Sequence, residues 1–528
     1  MTVREAVFDL LRRLGMTTMF GNPGSTELPF LDRFPADFKY VLGLQEASVV
    51  GMADGYARAS GTCAFVNLHS AAGVGHALGN VFTAFRNQAP MVITAGQQVR
   101  ALLPNLPFLG ASDAVSFPKP YVKYSIEPAR AEDVPAAIAH AYAIAMTPPR
   151  GPVFVSIPVD DWAVPCHPVP PKTVSQFIAP DPALIAQAAE AIAAAKNPVI
   201  VAGPEIDAEG AGDAMVALAE KLNAPVWTSP FSSRLSFPEE HPLFAGFLDA
   251  APAAVAATLA PYDLVLVAGA PVFTFHVGGD CALFRSGTPI IQLSTDPEAL
   301  AAAPTGLGIC TSMKLALPAL FDAVSPAQRP APKPRARAAA PVAADPLQPA
   351  YLLHRLRAAM PDDAILVEEA PSHRHAMHDQ LPVRDWGGFF TMASGGLGYS
   401  LPGAVGVALA KPGRRVVCVI GDGSMMYSPQ ALYTAVQHNL PITVIVINNA
   451  GYGAMRAFSK VLKVKDVPGI ELPGIDFVAL ARSMGCSALR VTTVDHLNAT
   501  LHRACRSEGP TLIDVVVDTA VTRLYDED

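Results

Sequence analysis

Two strand-like runs near the carboxyl end of the chain each finish on an oxygen-bearing side chain. VVCVI, residues 416–420, leads into Gly421-Asp422-Gly423-Ser424, and ITVIVI, residues 442–447, leads into Asn448-Asn449. A carboxylate, an amide oxygen and a nearby main-chain carbonyl form a hard, oxygen-only donor set that suits Mg2+ or Ca2+ rather than zinc. Glycine on both sides of Asp422 lets backbone N–H groups approach a phosphate closely. A following helix, expected over about residues 428–439, would offer that anion its positive end. Open α/β sheets bind ligands beyond the carboxyl ends of their strands, and a right-handed strand–helix–strand crossover makes these two strands neighbours or near neighbours. A lone GDG is usually a tight turn; paired with Asn-Asn across one such unit it is a far more specific signal.

A second set of polar residues sits near the amino end and in the middle. Glu46, in YVLGLQEASVVGMADGYARASG, follows a short apolar strand and opens a helix with small residues on one face. On its own it is an ordinary acid at a helix start. Ser25, in GNPGSTELPF, lies on a Gly/Pro-rich loop and reads alone as a turn residue. His69, in NLHSAAG, and His276, in GAPVFTFHVGG, each come after a strand. Histidine titrates near neutrality and can carry a proton in a reaction, although a single one after a strand is more often structural.

These residues need sheets to hold them. The 528-residue chain is long enough for about three domains. A Pro/Ala-rich stretch over 325–350 and a Pro-rich one over 163–182 divide it into segments 1–162, 183–325 and 350–528. Each segment alternates short β-rich runs with helical patterns, which predicts an α/β protein of three doubly wound parallel-sheet domains. The outer segments resemble each other: Thr83-Ala84 and Pro90 lie 351 residues before Thr434-Ala435 and Pro441, and both stretches read strand, polar loop, helix, Pro-led strand. A duplicated layout is expected.

A net charge of −8 gives no basic footprint for nucleic acid. No apolar run approaches the ~18 residues of a spanning helix. The N-terminal MTVREAVFDLLRRLGMTTMF reads as a first helix rather than a secretion signal, so no membrane association and a cytoplasmic location are expected. Seven scattered cysteines without a CxxC spacing are expected to be small core residues in a reducing compartment.

GDG followed by Asn-Asn 27 residues after the aspartate resembles the thiamine-diphosphate motif of the decarboxylase and acetohydroxyacid-synthase superfamily. The resemblance spans essentially the whole chain and implies pyrimidine-binding, central and diphosphate-binding domains in that order. It implies that Asp422, Asn449 and the carbonyl of Gly451 hold Mg2+, with Ca2+ able to substitute, and that Gly423, Ser424, Tyr427 and Tyr452 lie along the diphosphate of thiamine diphosphate. Glu46 would hydrogen-bond the pyrimidine ring from apolar surroundings that keep it neutral. Leu397, in SGGLGYSLPGAVG, would wedge the cofactor into a bend, and Gly395 would offer its carbonyl to the amino group.

The stretches GNPGS, LQEA, NLHSAAG, ITAGQQVRA and GPVFVSIPVDDW are similar to the aryl 2-keto acid decarboxylases within that superfamily. By that likeness Ser25 would hold the substrate's carboxylate or carbonyl, His69 would orient the keto acid, and His276 would deliver a proton to the former keto carbon. Phe108, Leu109, Met455 and Phe458 would form an apolar wall, with Ala454 leaving room for a ring. Thr391 and Pro371 depart from the pattern, standing where an aromatic and a hydroxyl residue are usual. The expected reaction is the non-oxidative decarboxylation of an aromatic 2-keto acid, with benzoylformate giving benzaldehyde and CO2. Carboligation, or another 2-keto acid, is the alternative; a cofactor-binding paralogue without activity is a third reading. The superfamily pairs one chain's N-terminal domain with its partner's C-terminal domain, so a homodimer is the smallest expected active unit and a homotetramer the expected assembly.

Overall fold

Eighteen strands build three six-stranded sheets, all of whose pairs of neighbouring strands are parallel. They are seen in a computed structural model that describes residues 1–520; residues 521–528 of the 350–528 segment lie outside the described residues. The first sheet contains β1 (Thr18–Gly21), β2 (Lys39–Leu42), β3 (Ala64–Leu68), β4 (Met91–Gln97), β5 (Ser125–Ile126) and β6 (Pro152–Pro158). The second contains β7 (Pro198–Ala202), β8 (Val226–Thr228), β9 (Phe244–Phe247), β10 (Leu264–Ala268), β11 (Ile290–Ser294) and β12 (Leu307–Cys310). The third contains β13 (Ile365–Glu369), β14 (Phe389–Phe390), β15 (Val416–Gly421), β16 (Ile442–Asn448), β17 (Ser487–Val491) and β18 (Thr511–Val516). The central strands are buried along nearly their whole length because helices cover both faces, which is why they read as unbroken apolar runs rather than alternating ones.

The duplication is present in the topology. The first sheet runs β2-β1-β3-β4-β6-β5 and the third β14-β13-β15-β16-β18-β17, the same order unit for unit. β4 and β16 begin at 91 and 442 and end at 97 and 448, a constant offset of 351 residues. The middle sheet is wound differently, β12-β11-β10-β7-β8-β9, with its switch point between β10 and β7. There the Glu205 carboxylate is buried against the Ser294 hydroxyl (2.6 Å) and the Thr295 N–H (2.9 Å).

The two outer units pack on each other through equivalent helices, Glu46–Ser60 and Ser400–Ala410. Small residues let the backbones touch: a methyl group on Gly406 would lie 1.9 Å from the Met52 carbonyl oxygen. The threonines at the 351-residue offset cross the junction in opposite directions. Thr434 donates to the Leu42 carbonyl (2.7 Å), and Thr83 bonds the Ser394 hydroxyl (2.9 Å). Buried Arg58 then ties all three units together, donating to the carbonyls of Thr391 (2.9 Å) and Ser233 (2.7 Å) and to the Tyr399 hydroxyl (2.8 Å).

Two expectations need correction. The helix expected over 428–439 is shorter, Ala431–Gln437, and a separate short turn of helix, Asp422–Met425, precedes it directly after β15. Pro429, which has no N–H to give and restricts the residue before it, separates the two. The cysteines are all free, but only five are buried; Cys166 is half-buried and Cys310 exposed. Among the described residues no helix is long and apolar enough to cross a membrane.

Candidate active site

β15 and β16 are adjacent, with Gly421 opposite Ile447, so Asp422 and Asn449 emerge side by side at the carboxyl edge of the third sheet. Asp422 is 3% exposed and accepts the N–H groups of Gly423 (2.8 Å) and Gly451 (2.9 Å). Burial pushes its carboxyl group up, and those two N–H groups pull it back. Beside it the side-chain oxygen of Asn449 is buried without a hydrogen-bond partner among the described residues. The Gly451 carbonyl accepts only from Gly453 N–H (3.0 Å) within the backbone network, leaving oxygen capacity. A buried carboxylate, an unpartnered amide oxygen and a main-chain carbonyl fit a hard divalent cation. Among the described residues there is no cluster of three or more His, Cys, Asp and Glu that could hold a metal.

The loop carrying Leu397 closes over this edge. Gly395 (φ +71°) and Gly398 (φ +101°) bracket Leu397 in left-handed conformations, and a side chain on Gly398 would strike the Tyr427 Cβ at 2.8 Å. Ser428 donates to the Gly398 carbonyl (2.9 Å), fastening this loop to the Asp422 segment. From behind, the buried Glu369 carboxylate accepts the N–H groups of Gly398 (2.6 Å), Tyr399 (2.9 Å) and Ser400 (2.7 Å). Burial pushes Glu369 up to about 7 against the pull of those three N–H groups.

A cavity of about 810 Å3 lies between this edge and the carboxyl ends of β8, β9 and β10. Asp422, Asn449 and Gly451 line it, as do Gly395, Leu397, Gly423, Ser424, Tyr427 and Tyr452. Ala454, Met455 and Phe458, on the helix Gly453–Val461, supply an apolar side. His276 reaches the cavity from the central unit, its ring edge-on to Phe458 at 4.8 Å. Thr391 and Pro371 also line it.

Ser25, Glu46 and His69 stand elsewhere, at the carboxyl edge of the first sheet, and no described residue before Thr228 lines the cavity. Glu46 is 8% exposed at the first turn of its helix. Its surroundings are polar rather than apolar: Asn22 donates to one oxygen (3.2 Å) and the His76 ring lies 3.2 Å from the other. His69 immediately precedes the helix Ser70–Arg86 and bonds the buried Glu27 carboxylate through Nδ1 at 2.8 Å. Ser25 is exposed on the β1 loop. Phe108 is 86% exposed and Leu109 half-buried on the loop after β4, so neither forms a wall of this chain's own cavity. That loop carries apolar side chains, Leu106 and Phe108, that the described residues leave more than four-fifths exposed, and Leu102, about half exposed.

Three site features escaped the sequence reading. Glu27 orients His69 from 42 residues away and receives the N–H groups of Gly24 (3.0 Å) and Gly96 (2.9 Å). Glu369 acts through backbone N–H groups 29 to 31 residues on. Glu368 pairs with Arg374 (2.8 Å) and accepts from Thr391 (2.9 Å). The available signal was Glu368-Glu369 itself, two acids finishing an apolar strand at the ligand-bearing edge of a sheet.

Three family models match the chain in order. They are the N-terminal TPP binding domain of thiamine pyrophosphate enzymes over residues 1–116, the central domain over 185–320 and the C-terminal TPP binding domain over 371–515. A benzoylformate decarboxylase of Pseudomonas aeruginosa is 45% identical over 524 residues, covering 98% of this chain and 99% of its own. An acetolactate synthase large subunit of Parasynechococcus marenigrum is 29% identical, over 97% of this chain and 87% of its own. The crystal structure of benzoylformate decarboxylase from Polynucleobacter necessarius superposes with a TM-score of 0.97 at 41% identity, covering 99% of each chain. A 4-hydroxybenzoylformate decarboxylase of Rhodococcus jostii gives 0.95 at 42% identity, covering 98% of this chain and all of its own.

Proposed function

The chain belongs to the thiamine pyrophosphate enzymes as a 2-keto acid decarboxylase, a carboxy-lyase, and on that premise we propose that it converts benzoylformate to benzaldehyde and CO2. The observation that carries the reading is one cavity with an oxygen-only cation set at one pole and an imidazole on an apolar wall facing it. When bound, thiamine diphosphate supplies a nucleophilic carbon and an electron sink for the pair left behind by CO2.

Asp422, Asn449 and the Gly451 carbonyl hold Mg2+ in this reading, and Ca2+ can replace it. Gly423, Ser424, Tyr427 and Tyr452 line the diphosphate, Leu397 shapes the bend, and the Gly395 carbonyl takes the amino group. Glu46 hydrogen-bonds the pyrimidine ring. Ser25 binds the substrate carboxylate or carbonyl. His69, held through Nδ1 by Glu27, orients the keto acid with its free edge. His276 delivers a proton to the former keto carbon. Ala454, Met455 and Phe458 exclude water and seat the ring.

Ser25, Glu46 and His69 reach a cavity only if a second copy of the chain brings them there. The exposed Leu106 and Phe108, and Met455 exposed on the cavity lining, support that pairing. A homodimer is therefore the proposed active unit, a homotetramer the proposed assembly, and the cytoplasm the proposed location. A panel of 2-keto acids, assayed for CO2 with and without thiamine diphosphate and Mg2+, tests the function. Benzoylformate should release CO2 only with both, and benzaldehyde in equal amount. No CO2 from any aryl 2-keto acid, or a 2-hydroxy ketone as the sole product, would overturn it.

A further inference from the structure

One helix face organises the edge of the first sheet. His69, Gly73, His76, Asn80 and Thr83 are spaced four, three, four and three residues apart, so they form one stripe along the helix Ser70–Arg86 and the residue before it. Most of the stripe has a visible task. His69 bonds Glu27 at 2.8 Å. Gly73 lets Glu46 lie close, because a methyl group there would stand 3.4 Å from the Glu46 Cγ and Oε1 and from the His69 Cβ. Asn80 donates to the Ala47 carbonyl (2.6 Å) in the first turn of the Glu46 helix, and Thr83 bonds the Ser394 hydroxyl (2.9 Å).

His76 completes the stripe. Its Nδ1 lies 3.2 Å from Glu46 Oε2, while Asn22, just after β1, donates to Oε1 (3.2 Å). The carboxyl group, 8% exposed, is thus held at both oxygens from two other elements, and its rotation is fixed before any ligand arrives. In the proposed function Glu46 hydrogen-bonds the pyrimidine ring, and the proton of that bond sits either on the carboxyl group or on the ring nitrogen. A partner for Glu46 must therefore suit the acid and the carboxylate alike. The Asn22 Nδ2 can only donate. An imidazole nitrogen donates to a carboxylate in one tautomer and accepts from a carboxylic acid in the other.

We propose that His76 is a positioning residue: it holds Oε2 of Glu46 in both protonation states and so keeps the carboxyl group aimed at the pyrimidine ring of thiamine diphosphate. This rests on the role given to Glu46 above and names the residue that orients it.

The test compares the full-length wild type with His76→Leu, His76→Gln and His76→Lys. The His76 side chain is 66% exposed in the chain, so the variants should melt with the wild type. Leucine removes the bond, glutamine keeps a donor and an acceptor, and lysine only donates and favours the carboxylate. For benzoylformate, kcat should fall about tenfold in His76→Leu and in His76→Lys, and His76→Gln should recover most of it. Binding gives a readout that needs no turnover. Thiamine diphosphate reaches both edges, whereas pyrophosphate reaches only the Asp422 edge. With Mg2+ present and the chain freed of cofactor, His76→Leu should bind thiamine diphosphate about tenfold more weakly than the wild type and pyrophosphate equally well.

Unchanged kcat and affinities in His76→Leu would overturn the assignment. So would equal weakening of both ligands, which marks a general disturbance of the fold. His76→Lys as active as the wild type, or His76→Gln no better than His76→Leu, overturns it too, because the bond would then not need to serve both states. If Glu46→Gln turns over like the wild type, the reading beneath fails as well; if Glu46→Gln is inactive and His76→Leu is not, only this inference fails.

Discussion

The first and third sheets have one strand order and one 351-residue register, yet their carboxyl edges carry opposite chemistry. Where the third unit has Asp422, the first has Ala71, and where the third has Leu397, the first has Glu46. One edge gathers a buried carboxylate, an unpartnered amide oxygen and an apolar side chain; the other gathers an acid and a carboxylate-held histidine. The comparison teaches that the duplicated fold supplies two equivalent ligand edges, and that a few loop residues decide what each does. The middle sheet makes the same point by contrast, because Glu205 and its hydroxyl partners fill the place at its switch point.

If the edges divide the chemistry this way, damage to each should show a different signature. Glu46→Gln should lower kcat by about a thousandfold while the circular dichroism spectrum and melting temperature stay put. Unchanged turnover would remove Glu46 from the chemistry. Asp422→Ala should weaken Mg2+-dependent retention of thiamine diphosphate by at least ~100-fold, measured as thiochrome fluorescence after gel filtration. If retention survives, the oxygen set is not the cation site.

The acid limb of stability carries a contribution from the third edge that a single substitution isolates. The folded protein holds His373 down at about 4, below its ordinary 6.5, so the unfolded chain binds the proton more tightly and stability is lost as pH falls through that window. Between pH 6.5 and 5 the wild type should lose about 1.5 kcal/mol more than His373→Leu, as read from urea midpoints. Equal losses would show that this imidazole is not held neutral. The smallest effect tests the pseudo-symmetry itself. Thr83→Val and Thr434→Val each remove one junction hydrogen bond and should cost similar amounts, about 1 kcal/mol each. A severalfold difference between them would mean that the two halves of the junction are not energetically equivalent.

Much of this was legible in the sequence because it is local. Gly421-Asp422-Gly423 and Asn448-Asn449 each finish an apolar run, and a parallel sheet puts both at one edge. Thr83 and Thr434 could be matched because duplication preserved their register. What could not be read depends on partners distant along the chain. Glu27 meets His69 across 42 residues, and Glu369 binds N–H groups on a loop about 30 residues on. The polar setting of Glu46 comes from Asn22 and His76, on two other elements. Resemblance puts Phe108 and Leu109 in a ring wall, whereas in this structure they do not line the chain's own cavity. The late helix start after Pro429 was local and visible, and the apolar pattern around it hid its effect.

The central claim is that the two edges work together only across a pair of chains. Differently tagged Glu46→Gln and Asp422→Ala chains, co-expressed and purified through both tags, test it most directly. In such a hybrid dimer one site carries both substitutions and the other carries neither. The account predicts that the hybrid regains about half of wild-type decarboxylation, while each parent variant stays nearly inactive. A hybrid no more active than its parents would mean that each chain completes its own site, and would contradict the account.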